Sequence, residues 1–545
     1  MKSYKLDSVL QSNKCRCIIT FTEQRKVLNP MNSGSIILVV TIAVYLLSMV
    51  GIGVFYSRRN KSTDDFYLGG RKLGPLVTAM SAEASDMSAY LLMGLPGVAL
   101  LAGLPEATWT AIGLAIGTYL NWLIVAKRIR RYSQKIGAVT IPDFFSRRYH
   151  DDKHILSVIA ALVIIVFFIP YTASGFNACG TLFSSLFGTN YFTAMIISAV
   201  VIVAYTTLGG FLAASTTDLI QSVIMTIALI VVVFFGIHAA GGWDAVVANA
   251  QSIPGYLNLS QGFDAATGTA ASYGPITVIS TMAWGLGYFG MPHILLRFMA
   301  IEDVKKLKTS RRVASIWVVI SMGIAVLIGV VGNAMMHAGA IEELSSANSQ
   351  RIIIKIAELL STYGFLPAVI GGVILAGILA ATMSTADSQL LAAASSVSQD
   401  IARDTLGIKL SDRTAMILAR CTVIVIALIG VIWARNEGSV FTIVSFAWAG
   451  FGAAFGPVML LALFWKKSNK YGAICGMVTG GAMVFIWKYA VRPLGGALDI
   501  YELLPAFLIA ILVNVAVSLL TSKHNMGQTQ QDVEQEFDEV AAMQD

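Results

Sequence analysis

Apolar runs of about 20 to 25 residues, repeated down the chain between short charged loops, constrain this protein more than any other feature. They start near residues 35, 76, 107, 156, 190, 217, 273, 313, 360, 413, 439, 470 and 502. Each can cross the hydrocarbon core of a bilayer as a tilted helix. In lipid every backbone N–H and C=O must find a partner within the protein, so only helices and closed barrels span. Runs of this length predict helices, and the expected fold is an all-α polytopic membrane protein with about 13 transmembrane helices. Of the 545 residues, 56% are hydrophobic and only 13% charged, where a soluble protein carries about a quarter charged. Three segments are expected: a leader over 1–34, a transmembrane domain over 35–521 and an acidic tail over 522–545.

Charge placement predicts orientation. Lys127, Arg128, Arg130, Arg131, Lys135, Arg147, Arg148 and Lys153 follow the third run; Lys305, Lys306, Lys308, Arg311 and Arg312 follow the seventh. Lys466, Lys467 and Lys470 follow the eleventh, and Arg58, Arg59 and Lys61 the first. The connection 241–272 has no Lys or Arg. Basic loops stay in the cytoplasm, so an odd number of spans puts the N-terminus outside and the C-terminus inside the cell. The leader resists this rule with Lys2, Lys5, Lys14, Arg16, Arg25 and Lys26, and it lacks the apolar core and cleavage site of a signal peptide. Translation from Met31 removes the conflict; a basic tail translocated regardless is the alternative. The tail, with Asp532, Glu534, Glu536, Asp538, Glu539 and Asp545, reads as disordered or loosely helical.

Composition excludes several function classes. The net charge of +7 resides in membrane-flanking loops and is no nucleic-acid signal. The five cysteines, Cys15, Cys17, Cys179, Cys421 and Cys475, form neither a disulfide framework nor a zinc pattern. The dipeptide Gly-Lys never occurs, so there is no Walker A loop, and ATP is not the expected energy source. The lipid bilayer is the expected surrounding; no cofactor and no obligate protein partner is indicated.

Polar residues inside the apolar runs carry the functional reading. Residues 81–97 read SAEASDMSAYLLMGLPG. A carboxylate near the bilayer centre costs about 3 kcal/mol on insertion scales and survives where it faces a cavity, a partner or a cation. Glu83, Asp86 and the breakers Gly94, Pro96 and Gly97 therefore predict a broken helix, unwound near Ala84 to Ser88, with carbonyls freed to bind a cation. The run ILAATMSTADSQLL, 378–391, places the hydroxyls of Ser384 and Thr385 side by side. Hydroxyls and freed carbonyls are the oxygens that a hard cation needs, although such residues also pack between membrane helices. Asp387 lies on roughly the face of Ser384. Asp218 opens another span, where it is a cation group or simply a helix-end carboxylate. Trp284 and Tyr288 in WGLGYFGMPH are spaced to share one helical face. Such a face packs an aliphatic ring or an ammonium. Tyr171 follows the kink at Pro170 and lines a cavity or fills a packing gap. Arg71 flanks the broken span as a topological charge or a gate.

Together SAEASDMSAYLLMGLPG, GGRKLGP, WGLGYFGMPHIL, ILAATMSTADSQLL and VSFAWAGFGAAFGPVMLLALFW resemble the solute:sodium symporter family, from about Ser35 to Leu520. The likeness is greatest to its proline-carrying members. The resemblance implies a LeuT-type core of two five-helix inverted repeats, the first starting at the broken span, which alternates between outward- and inward-open states. It implies sodium ligands at the carbonyls of Ala84, Met87 and Ala381 and the hydroxyls of Ser384 and Thr385, with Asp86 tied to sodium coupling. Ser88, Tyr171, Trp284, Tyr288 and Pro292 match solute-binding positions, and Arg71 a gating arginine. Ala89 and Tyr90 stand where Gly and Trp are usual, Glu83 occupies a usually small position, and Asp387 replaces a hydroxyl. Asp387 with Asp218 and Ser388 then predicts a second cation site. The implied activity is import of L-proline with Na+ and no enzymatic chemistry; pantothenate, a sugar or a carboxylate is the alternative solute. A channel lacks its rings of pore charges, a receptor its output domain, and a hydrolase its nucleophile and base.

Overall fold

The computed structural model describes residues 33–57, 67–346, 348–522 and 528–543. The expected start at Met31, the loop charges Arg58, Arg59 and Lys61, and Asp545 lie outside the described residues. Among those described, eleven helices are long and apolar enough to cross a membrane. The expectation of about 13 differs at two places, each with a local cause. The run from 190 is a short apolar helix, Tyr191–Ala204, that continues into Gly210–Ala239 through a bend where Gly210 has φ +69°. The run from 273 is no continuous helix: it divides into Pro275–Met282, a tight 3-10 stretch Ala283–Gly290, and Pro292–Ala300. Gly285, Gly287 and Gly290 weaken it, and Pro292 removes an N–H and clashes with the preceding turn.

The span Pro75–Ala102 is the other broken one. It is helical over Pro75–Ala89 and again over Leu95–Ala102, with a wide turn at Tyr90–Gly94 between. Nearly all of it is buried, unlike Ser33–Phe55, most of which faces outward. Around this centre pack Leu104–Lys135, Ile155–Phe187, Gly210–Ala239, Phe365–Thr405 and Val440–Phe464. Small residues allow the closest approaches: Gly117 lies so near the backbone of Gly285 that a Cβ there has no room.

The two broken spans are joined at the basic end of the molecule. Leu73 N–H donates to the Ala300 carbonyl at 3.1 Å, and Glu302 N–H to that of Leu73 at 3.0 Å. At the opposite end the Lys/Arg-free connection is structured as helix Trp243–Ser252 and a two-stranded antiparallel hairpin, Gln261–Asp264 with Thr269–Ser272. Its Tyr256 hydroxyl donates to the carbonyls of Ala99 and Leu100 at 2.8 and 2.9 Å, which fastens this cap to the broken span.

The acidic tail is ordered over Gln528–Ala542 as a docked helix, not disordered or loose. Val533, Phe537 and Val540 follow helical spacing and are buried. Its carboxylates meet the basic loops: Glu539 with Lys135 at 2.8 Å, Glu536 with His150 at 3.0 Å and Asp538 with Lys466 at 3.3 Å. Local composition predicts a solvated segment; the complementary surface that orders it is assembled only by folding.

Candidate ion and solute site

The break in Pro75–Ala89 is sharp. Ser88 alone leaves helical geometry, at φ +49° and ψ −170°, so the unwinding expected from Ala84 onward is confined to one residue. This backbone region is nearly closed to residues with a Cβ. The Ser88 hydroxyl accepts from the Tyr90 N–H at 3.1 Å, which helps to hold the turn. Carbonyls just before the break lose their usual helical partners. One of them, Asp86 O, accepts from the Tyr171 hydroxyl at 3.1 Å.

Helix Phe365–Ser395 crosses this region. Ser384 Oγ donates to Ala84 O at 2.8 Å and to Ala381 O at 3.2 Å; Thr385 Oγ1 donates to Ala381 O at 3.1 Å. Four of the five expected sodium ligands, Ala84, Ala381, Ser384 and Thr385, are thus brought together from segments 300 residues apart. The fifth, Met87, has its carbonyl at the break, where it accepts from Tyr90 N–H. The hydroxyl lone pairs and the carbonyls offer neutral oxygens to a hard cation between the helices. A cation there favours whichever conformation keeps the two helices together.

Asp86 lies beside this crossing. Its Oδ2 accepts from the Tyr288 hydroxyl at 2.5 Å, so it links the broken span to the 3-10 stretch. One turn earlier Glu83 Oε1 accepts from Trp122 Nε1 at 2.9 Å. Asp86 therefore meets Tyr288 through its carboxylate and Tyr171 through its carbonyl.

The shared face expected for Trp284 and Tyr288 does not form. A 3-10 helix has about three residues per turn, so residues four apart diverge by about 120°. Trp284 stacks on Tyr90 and on Tyr501, each with ring centroids 5.3 Å apart, while Tyr288 turns to Asp86. Trp448 stands between them: its Nε1 donates to Trp284 O at 2.7 Å and its ring meets Tyr288 edge-on at 5.1 Å. Gly287 lies flat against the Trp448 indole, with no space for a side chain. Pro292 is buried at the start of the next helix. Tyr501 and Phe441 complete the aromatic wall. Nothing local in the sequence marks these two, because their place depends on spans distant in the chain.

Asp218, Asp387 and Ser388 also meet, but around an arginine. Arg297 Nη2 donates to Asp218 Oδ2 at 3.2 Å and to Ser388 Oγ, and its Nε donates to Ser81 Oγ at 3.0 Å. Ser81 in turn donates to Asp218 Oδ2 at 2.6 Å, and Ser388 to Asp387 Oδ1 at 3.2 Å. The three residues expected to form a second cation site are thus brought together around Arg297, which sets one positive charge against two carboxylates. Asp218 Oδ1 and Asp387 Oδ2 are buried without a hydrogen-bond partner among the described residues. Sequence reading passes over Arg297, although a lone charge inside an apolar run is itself a signal.

Arg71, at φ +56°, lies at the basic end. Its guanidinium donates to Met299 O and Ala138 O at 2.7 Å each, and to Ser133 O at 3.2 Å. It therefore ties three segments together across that face.

The model of the sodium:solute symporter family matches residues 66–480. The osmoregulated proline transporter OpuE of Bacillus subtilis is 39% identical over 492 residues, covering 90% of this chain and 96% of that protein. The sodium/proline symporter of Escherichia coli is 40% identical over 491 residues, 89% of this chain and 93% of its own. Among solved structures, a Na+-coupled sialic acid symporter in a substrate-bound outward-open state superposes with TM-score 0.73 at 18% identity, over 89% of this chain and 98% of that one. Mhp1, a nucleobase-cation-symport-1 family transporter, superposes with TM-score 0.53 at 13% identity, over 88% of this chain and 99% of that one. At these identities the two structures speak to the fold, which is that of two inverted five-helix repeats.

Proposed function

We propose, for a chain that belongs to the sodium:solute symporter family, that it imports L-proline together with Na+ by alternating access. Proline is the solute carried by relatives about 40% identical over about nine-tenths of the chain. The observation that carries the mechanism is the Ser384–Ala84 contact across the break in the buried span. Sodium enters between the two helices, held by the hydroxyls of Ser384 and Thr385 and the carbonyls of Ala84, Ala381 and Met87. Each of these oxygens replaces part of the ion's water shell.

Asp86 couples ion to solute. Sodium draws the broken span toward Phe365–Ser395, and Asp86 carries that displacement to Tyr288 through their hydrogen bond. The backbone freed at Ser88, with the Tyr171 hydroxyl, faces the charged groups of the amino acid. Trp284, Tyr288 and Pro292 contact its aliphatic ring from separate sides, with Trp448 between the two aromatic residues. Coupling is reciprocal, so proline tightens sodium as much as sodium tightens proline. Arg71 closes the basic face, which is cytoplasmic, with the N-terminus outside and the C-terminus inside. Each charge moved inward gains about 2.3 kcal/mol per 100 mV of membrane potential.

The test is radiolabelled L-proline uptake into proteoliposomes under an inward sodium gradient, with Asp86→Asn alongside. Uptake that needs sodium and is lost in the variant supports the reading. No proline uptake, with sodium still changing the conformation, moves the reading to another solute. No response to sodium overturns it.

A further inference from the structure

A cavity of about 660 Å³ opens at the basic face, away from the ion and solute site, between spans Leu104–Lys135 and Val304–His337. Among the described residues its polar lining is Lys127, Arg131, Lys305, Lys308 and Arg311 with the carboxylate of Asp303; Trp122 and Leu123 are part of its apolar lining. We propose that this cavity binds the headgroup of an anionic phospholipid such as phosphatidylglycerol.

Three observations point to a lipid. First, the charges of one segment do not balance among the described residues. Lys305, Lys308 and Arg311 line one space with one carboxylate, Asp303, and like charges at such range repel unless an anion joins them. Lys305, Lys308 and Arg311 carry the proposal, since they project from one segment beside the neighbouring span: Arg311 lies over the Tyr119 ring, 5.4 Å from its centroid. Second, the cavity sits where the two spans leave the apolar region, which is the level of phosphate groups in the adjacent leaflet. Third, the surface beyond it is apolar and outward-facing. Tyr119, Leu123 and Ile124 on one span, and Ile316, Val319 and Ile320 on the other, are exposed. A phosphate in the cavity can therefore carry acyl chains along that surface, whereas a free phosphate gains nothing there.

Occupancy has a route to the transport site. Trp122 lines the cavity and its indole N–H holds Glu83 in the broken span. A bound headgroup bridges the two spans and fixes the Trp122 side of that contact.

The test uses the purified full chain, delipidated and returned to mixed micelles with phosphatidylglycerol or phosphatidylcholine, with retained lipid counted by native mass spectrometry. Wild type is expected to retain one phosphatidylglycerol per chain in preference to phosphatidylcholine. Lys305→Gln/Lys308→Gln/Arg311→Gln is expected to lower that occupancy at least fivefold, and Lys305→Arg/Lys308→Arg to preserve it. If the triple variant does not fold, Lys308→Gln alone should lower occupancy about twofold or more. Equal retention of both lipids by wild type, or undiminished phosphatidylglycerol in the Gln variants, overturns the proposal. Full displacement by equimolar glycerol 3-phosphate also overturns it, since that identifies a soluble-anion site. None of these readouts depends on proline or sodium.

Discussion

Replacing Arg297 by methionine tests how the buried charge cluster is held. The side chains of Arg297 and Asp218 are 1% and 0% exposed, and Nη2 lies 3.2 Å from Oδ2. At an effective dielectric constant of about 20, two unit charges at that distance attract by about 5 kcal/mol. Breaking one side of a buried pair costs about 3–5 kcal/mol, chiefly because the surviving charge keeps its desolvation penalty without its partner. Arg297→Met leaves two carboxylates, Asp218 and Asp387, facing each other with no cation. The variant should therefore lose roughly 3–5 kcal/mol, while Arg297→Met/Asp218→Asn should recover most of it. Thermal unfolding midpoints of wild type, both single variants and the double variant form the cycle. In Arg297→Met, sodium should also raise the midpoint more than in wild type, because the ion now takes the vacated position. An Arg297→Met midpoint equal to wild type, or a double variant no more stable than Arg297→Met, refutes the reasoning. The first outcome means that the pair contributes nothing; the second means that the loss is one of packing and not of charge.

Gly287→Ala puts a methyl where the Trp448 indole lies; overpacking of this kind costs about 1–3 kcal/mol, and proline KM should rise while Gly323→Ala, at an open position, leaves uptake unchanged. Tyr288→Phe removes the donor to Asp86; a hydrogen bond to a charged group is worth about 1.5–3 kcal/mol, so the sodium concentration for half-maximal uptake should rise roughly tenfold to a hundredfold, and an unchanged sodium dependence counts against coupling through Asp86. At the tail, the Lys135 hydrogen bond, with help from Gln535, holds the Glu539 carboxyl below its usual range. That anchoring is complete above the ordinary glutamate value of about 4.3 and is lost as pH falls through the lower folded value. A spin label at Ala541 should stay immobile through the usual carboxylate range, gain mobility in stronger acid, and gain it too at about 1 M salt, where screening reaches about 3 Å. Mobility indifferent to both would leave the apolar stripe Val533–Phe537–Val540 as the whole anchor.

The chain alone determined that it spans a membrane, most of the segments that do so, and which polar residues interrupt them. Hydropathy acts residue by residue and breakers act on their own turn, so Asp86, Ser384 and Thr385 stand out of their apolar runs without any knowledge of neighbours. Only the tertiary structure decided what each polar group faces. Arg297 reads as one charge near the end of a run until folding places it between Asp218 and Ser388. Trp284 and Tyr288 read as one face until glycines and Pro292 tighten the helix and rotate them apart. Trp448, Phe441 and Tyr501 enter the aromatic wall from far down the chain. The acidic tail orders because basic residues from three separate segments converge beneath it. Periodicity and breakers are local and so are written in the sequence; partners across spans are set by packing and by the pairing of buried charge, which exist only once the chain has closed on itself.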